Sequence, residues 1–213
     1  MKQYKTYLFD ADGTLFDTAD MIYLCFKNTF AKIGLGAISR EMVFSYIGIP
    51  LKEQLKVYIG PVDDLFYEEY RCAHMDYQAS IFRDHLVLFD GVRDLLMVLK
   101  ENDKKCAVVT SRMRPSLELF LKELSIDSFF DLLITPESTT EHKPSSQPAL
   151  KALELMGERD PSEALFIGDA TFDIECGNNA GMDTAFVSWS RNLPDILSVK
   201  PTYIINKAMD IIC

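Results

Sequence analysis

Two carboxylates, Asp10 and Asp12, stand two residues apart at the end of an apolar run, in the string Leu8-Phe9-Asp10-Ala11-Asp12-Gly13-Thr14. A carboxylate placed there can act as a nucleophile with its neighbour as acid or base, or the pair can hold a metal ion. Asp-Gly is also a common turn signal, so the pair alone leaves both readings open. Further along, Val108-Val109-Thr110-Ser111 puts two hydroxyls where another apolar run ends. A hydroxyl hydrogen-bonds a phosphate oxygen without adding charge, and it equally caps a helix. Lys143 precedes a proline-bounded helix start in Glu141-His142-Lys143-Pro144, where an ammonium either neutralises phosphate and carboxylates together or is simply solvated. Last comes Gly168-Asp169-Ala170-Thr171-Phe172-Asp173, with two acids four residues apart. Hard cations such as Mg²⁺ select such oxygens. A helix N-cap would account for Asp173 and not for Asp169.

For these groups to act together, one scaffold must present them on one edge. Short apolar runs rich in β-branched or aromatic residues, at Thr6–Phe9, Cys106–Thr110, Leu132–Thr135, Leu165–Ile167, Thr184–Val187 and Tyr203–Ile205, read as buried strands. Helix-like segments lie between the later ones, at Val92–Glu101, Pro115–Leu124, Pro148–Met156 and Asp173–Ala180. That alternation predicts an α/β fold, a parallel sheet with helices on both faces. The four candidate segments then fall just beyond the carboxyl ends of strands, where open α/β sheets bind ligands.

The interval between the first two strands breaks the rhythm, with roughly 95 residues where a crossover needs about 30. Ile22, Phe26, Phe30 and Ile33 recur at helical spacing within it, as do Phe66, Tyr70, Ala73 and Tyr77, so it reads as an inserted helical domain with its own core. Residues 15–86 form this insert, and residues 1–14 with 87–213 form the remainder. The acidic cluster Asp63, Asp64, Glu68 and Glu69 reads as a solvated helix face.

Composition bounds the function. With 48% hydrophobic and 25% charged residues in 213, the chain is expected to be globular. A net charge of −10 argues against broad nucleic-acid or anionic-membrane binding, so an anionic substrate must be attracted locally. The N-terminus meets charge too soon for a signal peptide or membrane helix, and a cytoplasmic location is expected. Cys25, Cys72, Cys106, Cys176 and Cys213 form no CxxC pair, which predicts reduced, structural thiols.

Taken in order, Asp10-Ala11-Asp12-Gly13-Thr14, Thr110, Lys143-Pro144, Gly168-Asp169 through Asp173 and Asn179-Ala180-Gly181-Met182 resemble the haloacid dehalogenase superfamily over essentially the whole chain. The resemblance implies a Rossmann-like, doubly wound core and makes the insert a helical cap. It implies Asp10 as nucleophile, Asp12 as general acid/base, and Thr110 and Lys143 as phosphate anchors, with Ser111 beside them. It also implies Mg²⁺ held by Asp10, Asp169 and the backbone carbonyl of Asp12, with Asp173 binding or orienting the metal shell. True dehalogenases of this family usually lack the second aspartate of the first motif, so Asp12 favours phosphoryl transfer. Two departures are visible: Ser146 where relatives commonly carry proline, and Ser111-Arg112 where they often carry Asn or Thr followed by Lys. Arg112 could contact substrate, but a solvated arginine is the expectation.

The expected activity is hydrolysis of a small phosphorylated metabolite. Tyr46-Ile47-Gly48-Ile49-Pro50-Leu51-Lys52-Glu53 looks like the cap loop of phosphoglycolate phosphatases and related pyrophosphatases, which puts phosphoglycolate first and pyrophosphate second. Lys52 is the candidate contact to a second anionic group on the substrate, set against the plainer reading of a surface lysine. A phosphomutase resembling β-phosphoglucomutase ranks lower, because that family commonly has arginine where this chain has Leu51. A non-enzymatic binding protein ranks below that, since Asp10, Asp12 and Asp169 are all present. The sequence leaves the oligomeric state open.

Overall fold

The computed structural model describes residues 1–190 and 199–212. Strand β1 (Thr6–Phe9) is buried along its whole length. The inserted segment follows it, entered through β2 (Phe16–Asp17) and left through β3 (Val87–Leu88), an antiparallel two-stranded ribbon. Between these strands lie α1 (Ala19–Lys32), α2 (Arg40–Phe44), α3 (Leu51–Ile59) and α4 (Asp64–His85). The chain then alternates α5 (Val92–Glu101), β4 (Lys105–Val109), α6 (Arg114–Glu123), β5 (Leu132–Ile134), α7 (Gln147–Met156), β6 (Ala164–Gly168), α8 (Thr171–Asn179), β7 (Asp183–Val187) and β8 (Tyr203–Ile205).

Six strands form one parallel sheet in the order β5-β4-β1-β6-β7-β8. Strand residues alternate between its faces. Tyr7, Phe9, Val108, Leu165 and Ile167 pack with α5 and α6 through Leu95, Leu99, Leu117 and Phe120. Leu8, Ala107, Val109 and Phe166 pack on the other face with α7 and α8 through Ala149, Ala152, Leu153 and Cys176. Both faces are covered, which is why these strands read as continuous apolar runs. The layered α/β sheet expected from the alternation is present, with boundaries moved by one or two residues. Thr110 and Thr135 leave their strands, and α8 starts at Thr171.

The insert has a separate apolar cluster that includes Ile22, Phe26, Phe30, Leu55 and Tyr70. Phe26 meets Tyr58 edge-on at 5.1 Å and Phe30 at 6.0 Å, a geometry that pairs ring edge with ring face. Two expectations are corrected here. Ile33 lies past the end of α1 and is exposed, while the buried stripe of α4 is Tyr70, His74, Gln78 and Phe82 rather than Phe66, Tyr70, Ala73 and Tyr77. Leu15, placed in the insert from sequence, packs in the main apolar cluster with Phe16, Phe82 and Leu86, so the root of the insert is continuous with the sheet's own core. The ribbon was not foreseen, because two-residue strands are too short to show a period.

Asp63, Asp64, Glu68 and Glu69 are exposed, and Asp63 caps α4 by accepting from the Phe66 N–H at 2.8 Å. Cys25, Cys72, Cys106 and Cys176 are free thiols; Cys213 lies outside the described residues. Among the described residues no helix is long and apolar enough to cross a membrane.

Candidate active site

The sheet order places β1 between β4 and β6, where the chain's progression across the sheet reverses direction. Ligands bind outside the carboxyl ends of strands at such a point. Phe9 pairs with Val108 and with Ile167, so Asp10, one residue on, and Thr110 and Asp169, two residues on, emerge from neighbouring strand ends. The Asp10 N–H still donates to the Ile167 carbonyl at 2.9 Å, which fixes where its side chain begins.

Lys143 reaches this edge from the loop after β5. Its Nζ lies 2.7 Å from Asp10 Oδ1 and 2.5 Å from Asp173 Oδ1, and all three side chains are almost fully buried. Asp173 sits in the first turn of α8 and also accepts from the Ala170 N–H at 3.0 Å, so both of its oxygens are engaged. Asp169 accepts from Thr14 at 3.3 Å and from Ser190 at 2.6 Å. One ligand oxygen from each of Asp10, Asp169 and Asp173 can lie within 4.8 Å of the others.

Three carboxylates share one ammonium, which leaves an excess of two negative charges in a buried space. Burial, opposed by Lys143 and reinforced by Asp173, pushes Asp10 up to about 7. Burial, with Asp173 and Asp10 adding to it, raises Asp169 well above the usual carboxylate range. Burial alone would lower Lys143; the attraction of Asp10 and Asp173 outweighs it and raises the ammonium instead. Burial is the largest cause for both carboxyls, and the neighbouring carboxylates push the same way. An oxygen-only donor set with that excess of negative charge fits a hard divalent cation. The backbone agrees: Gly13 has φ +82°, and a Cβ there would lie 2.1 Å from Asp169 Oδ2, so the Asp12-Gly13 backbone runs directly against that carboxylate.

Asp12 faces a different partner. Arg112 donates to it in a fork, Nε to Oδ2 at 2.8 Å and Nη2 to Oδ1 at 2.5 Å, and Thr18 also donates to Oδ1. Arg112 is buried, with its guanidinium 4.4 Å from the centroid of Phe120, where the sequence predicts a solvated arginine. The reason is the paired carboxylate, together with Gln78 of α4 at 3.0 Å and Ser116 at 3.4 Å from Nη1.

Asp10, Asp12, Thr110, Ser111 and Arg112 line a cavity of about 80 Å³ that the insert closes from above. The Thr110 hydroxyl accepts from the Arg112 N–H at 3.2 Å, and the Ser111 hydroxyl donates across the boundary to the Gly48 carbonyl at 2.6 Å. Lys52, expected at the substrate, is corrected: its Nζ is 2.5 Å from Asp64 on the outer surface and it takes no part in the cavity wall. Leu51 and Gln54, three residues apart on α3, turn inward, and Lys52 between them turns out. Sequence reasoning missed Gln54, His74 and Gln78. The spacing Tyr70, His74, Gln78, Phe82 was the available signal, a polar pair inside a stripe of period four.

Fold and site together define an α/β enzyme with a carboxylate and ammonium centre at the switch point of its sheet. Residues 7–187 match the haloacid dehalogenase-like hydrolase family. The chain is 37% identical over 210 residues to the "Putative pyrophosphatase PpaX" of Clostridium perfringens (strain 13 / Type A), a match covering 98% of this chain and 95% of that one. It is 32% identical over 209 residues to the pyrophosphatase PpaX of Bacillus cereus (strain AH820), covering 97% and 94%. Among solved structures, the "Putative haloacid dehalogenase-like hydrolase" from Bacteroides fragilis superposes with a TM-score of 0.89 at 27% identity, covering 99% of this chain and 100% of that one. The chain belongs to the haloacid dehalogenase-like hydrolases, and it is an enzyme, a phosphatase of that superfamily.

Proposed function

We propose that this protein hydrolyses a small phosphorylated metabolite, with Mg²⁺ and through a phosphoryl group carried on Asp10. The observation that carries the reading is Lys143 Nζ between Asp10 and Asp173, at 2.7 and 2.5 Å, beside a cavity that also holds Asp12. Asp10 and Asp169, with the backbone at Asp12, would hold the metal. Asp173, engaged by Lys143 and the Ala170 N–H, would orient that set. The cation supplies charge neutralisation, which lets one anion approach another.

In the first half-reaction an Asp10 oxygen forms a bond to phosphorus while the bond to the leaving oxygen breaks, and Asp12 gives that oxygen its proton. In the second, water attacks the same phosphorus, Asp12 takes the water's proton, and the Asp10 oxygen departs with inorganic phosphate formed. Thr110 and Lys143 hold the phosphoryl oxygens, while the Ser111 hydroxyl beside them donates to the Gly48 carbonyl and ties core to cap. The insert, residues 15–86 as read from sequence, acts as the cap that shuts out water and selects the leaving group.

The two substrates in view are pyrophosphate and phosphoglycolate. The cap-loop resemblance points to both, and the named activity of the Clostridium and Bacillus relatives favours pyrophosphate. A cavity of about 80 Å³ suits a leaving group of a few heavy atoms rather than a sugar. Phosphate release measured over pyrophosphate, phosphoglycolate, glucose 1-phosphate and an aryl phosphate, each with and without Mg²⁺, tests the reading. Mg²⁺-dependent release from the small substrates is expected. Metal-independent release, or isomerisation of glucose 1-phosphate as the main reaction, would overturn it.

A further inference from the structure

The cap side of the cavity carries no lysine or arginine among the described residues. It consists of apolar side chains such as Ile22, Phe26 and Leu51, together with Gln54, His74 and Gln78. His74 is neutral there, since burial pushes its imidazole down to about 3. Among the described residues Arg112 is therefore the one lysine or arginine that lines this cavity, and it comes from the core rather than the cap.

Its donors can be counted. A guanidinium has five N–H groups. Asp12 takes one from Nε and one from Nη2, while Gln78 and Ser116 face the two on Nη1, which leaves one hydrogen on Nη2. Phe120 and Asp12 hold the guanidinium in the cavity wall, so using that remaining donor costs little side-chain freedom. Gln54 supplies the complementary feature. It is 7% exposed, its Nε2 donates to the Ile49 carbonyl at 2.9 Å, and its Oε1 is buried with no hydrogen-bond partner. A buried acceptor left open in the wall of a cavity costs stability unless a ligand brings it a hydrogen.

We infer that Arg112 and Gln54 receive the far end of the substrate, and that this end is a hydrogen-phosphate group, with an anionic oxygen on Arg112 and its P–OH on Gln54. The preferred substrate is then pyrophosphate. The carboxylate of phosphoglycolate satisfies Arg112 and has no hydrogen for Gln54, and the leaving group of an aryl monoester satisfies neither. This inference rests on the phosphohydrolase reading of the same site and narrows its substrate.

Calorimetric binding in Mg²⁺ separates the two claims, using methylenediphosphonate as an uncleavable diphosphate and inorganic phosphate as the single-phosphoryl control. Wild-type protein should bind the diphosphonate more tightly than phosphate. Arg112→Gln should weaken the diphosphonate by about 30-fold and Gln54→Leu by about 5-fold, as expected for losing a charged and a neutral hydrogen bond. Phosphate affinity should move less than about threefold in both, and Arg112→Lys should recover part of the loss. Because Gln54 does not touch Asp12, Gln54→Leu keeps the test decisive if Arg112→Gln fails to fold. Equal losses for both ligands would make Arg112 a positioning residue for Asp12 alone and overturn the inference, as would wild-type protein without preference for the diphosphonate. A wild-type enzyme that binds the diphosphonate selectively and releases phosphate from no substrate would instead sink the hydrolytic reading.

Discussion

The two walls of the cavity are built on opposite principles. The core side concentrates charge: Asp10, Asp12 and Arg112 line the cavity, Lys143 joins Asp10 to Asp173, Asp169 lies beside them, and all six are buried with hydrogen-bonded partners. The cap wall holds no permanent charge and presents neutral amides and an imidazole among apolar side chains. Charges are costly to bury and are kept only where partners surround them, which strand ends in a rigid sheet provide. If the insert docks and undocks as the proposed cap, on its two-stranded ribbon, a neutral face does so without repeatedly desolvating ions. In the proposed reaction, chemistry then belongs to the charged wall and discrimination to the neutral one.

Substitutions test that division, the largest effect first. Asp10→Asn removes the nucleophile's charge at nearly constant volume. Phosphate release should fall by more than about 10⁴-fold, the scale seen when a nucleophile is removed. Circular dichroism should show the fold retained. Near-wild-type release would end the covalent mechanism and the core wall's claim to the chemistry.

Gly13→Ala is a subtler attack on the same wall. The added methyl would lie 2.1 Å from Asp169 Oδ2, on backbone with φ +82°, so the carboxylate must move. A displacement near 1 Å costs roughly 100-fold in rate. A Mg²⁺ titration should show a raised half-saturating concentration in the same variant. An unchanged titration would remove Asp169 from the metal set.

On the cap wall the expected effects are on stability and fit. Buried His74 has its pKa depressed to about 3, chiefly by burial and secondarily by the Arg112 charge, against about 6.5 in the unfolded chain. Above 6.5 both states are neutral and nothing is lost. As pH falls from about 6.5 towards 3 the unfolded chain takes up a proton that the folded one refuses, so stability drops by up to about 1.4 kcal/mol per unit. His74→Phe should flatten that part of the stability curve measured by urea unfolding. A curve of unchanged slope would mean that His74 protonates in the folded protein.

The smallest effect is expected where the two walls touch. Ser111→Ala removes the hydroxyl that donates to the Gly48 carbonyl at 2.6 Å, a single bond between core and cap. A neutral hydrogen bond contributes about 1 kcal/mol, so KM should rise by about fivefold with kcat little changed. A fall in kcat with KM unchanged would give Ser111 a role in the reaction rather than in closure.

The sequence by itself determined the parallel sheet, the order of its strands along the chain and the segments at their carboxyl ends. Those strands are covered on both faces, so burial writes itself locally as unbroken apolar runs, and the acids that end them stand out. Asp10, Asp12, Thr110, Lys143, Asp169 and Asp173 could be named in advance on that account, and the structure brings them to one edge. Only the tertiary structure decided what surrounds them. Arg112 is buried because Asp12, 100 residues away, and Gln78, 34 residues away, meet it in space. No local pattern distinguishes such an arginine from a solvated one. Lys52 was lost from the site for the converse reason, since which face of α3 turns inward depends on how the cap lies over the core. The fate of a long charged side chain is set by distant partners, whereas an apolar run carries its own instruction to be buried.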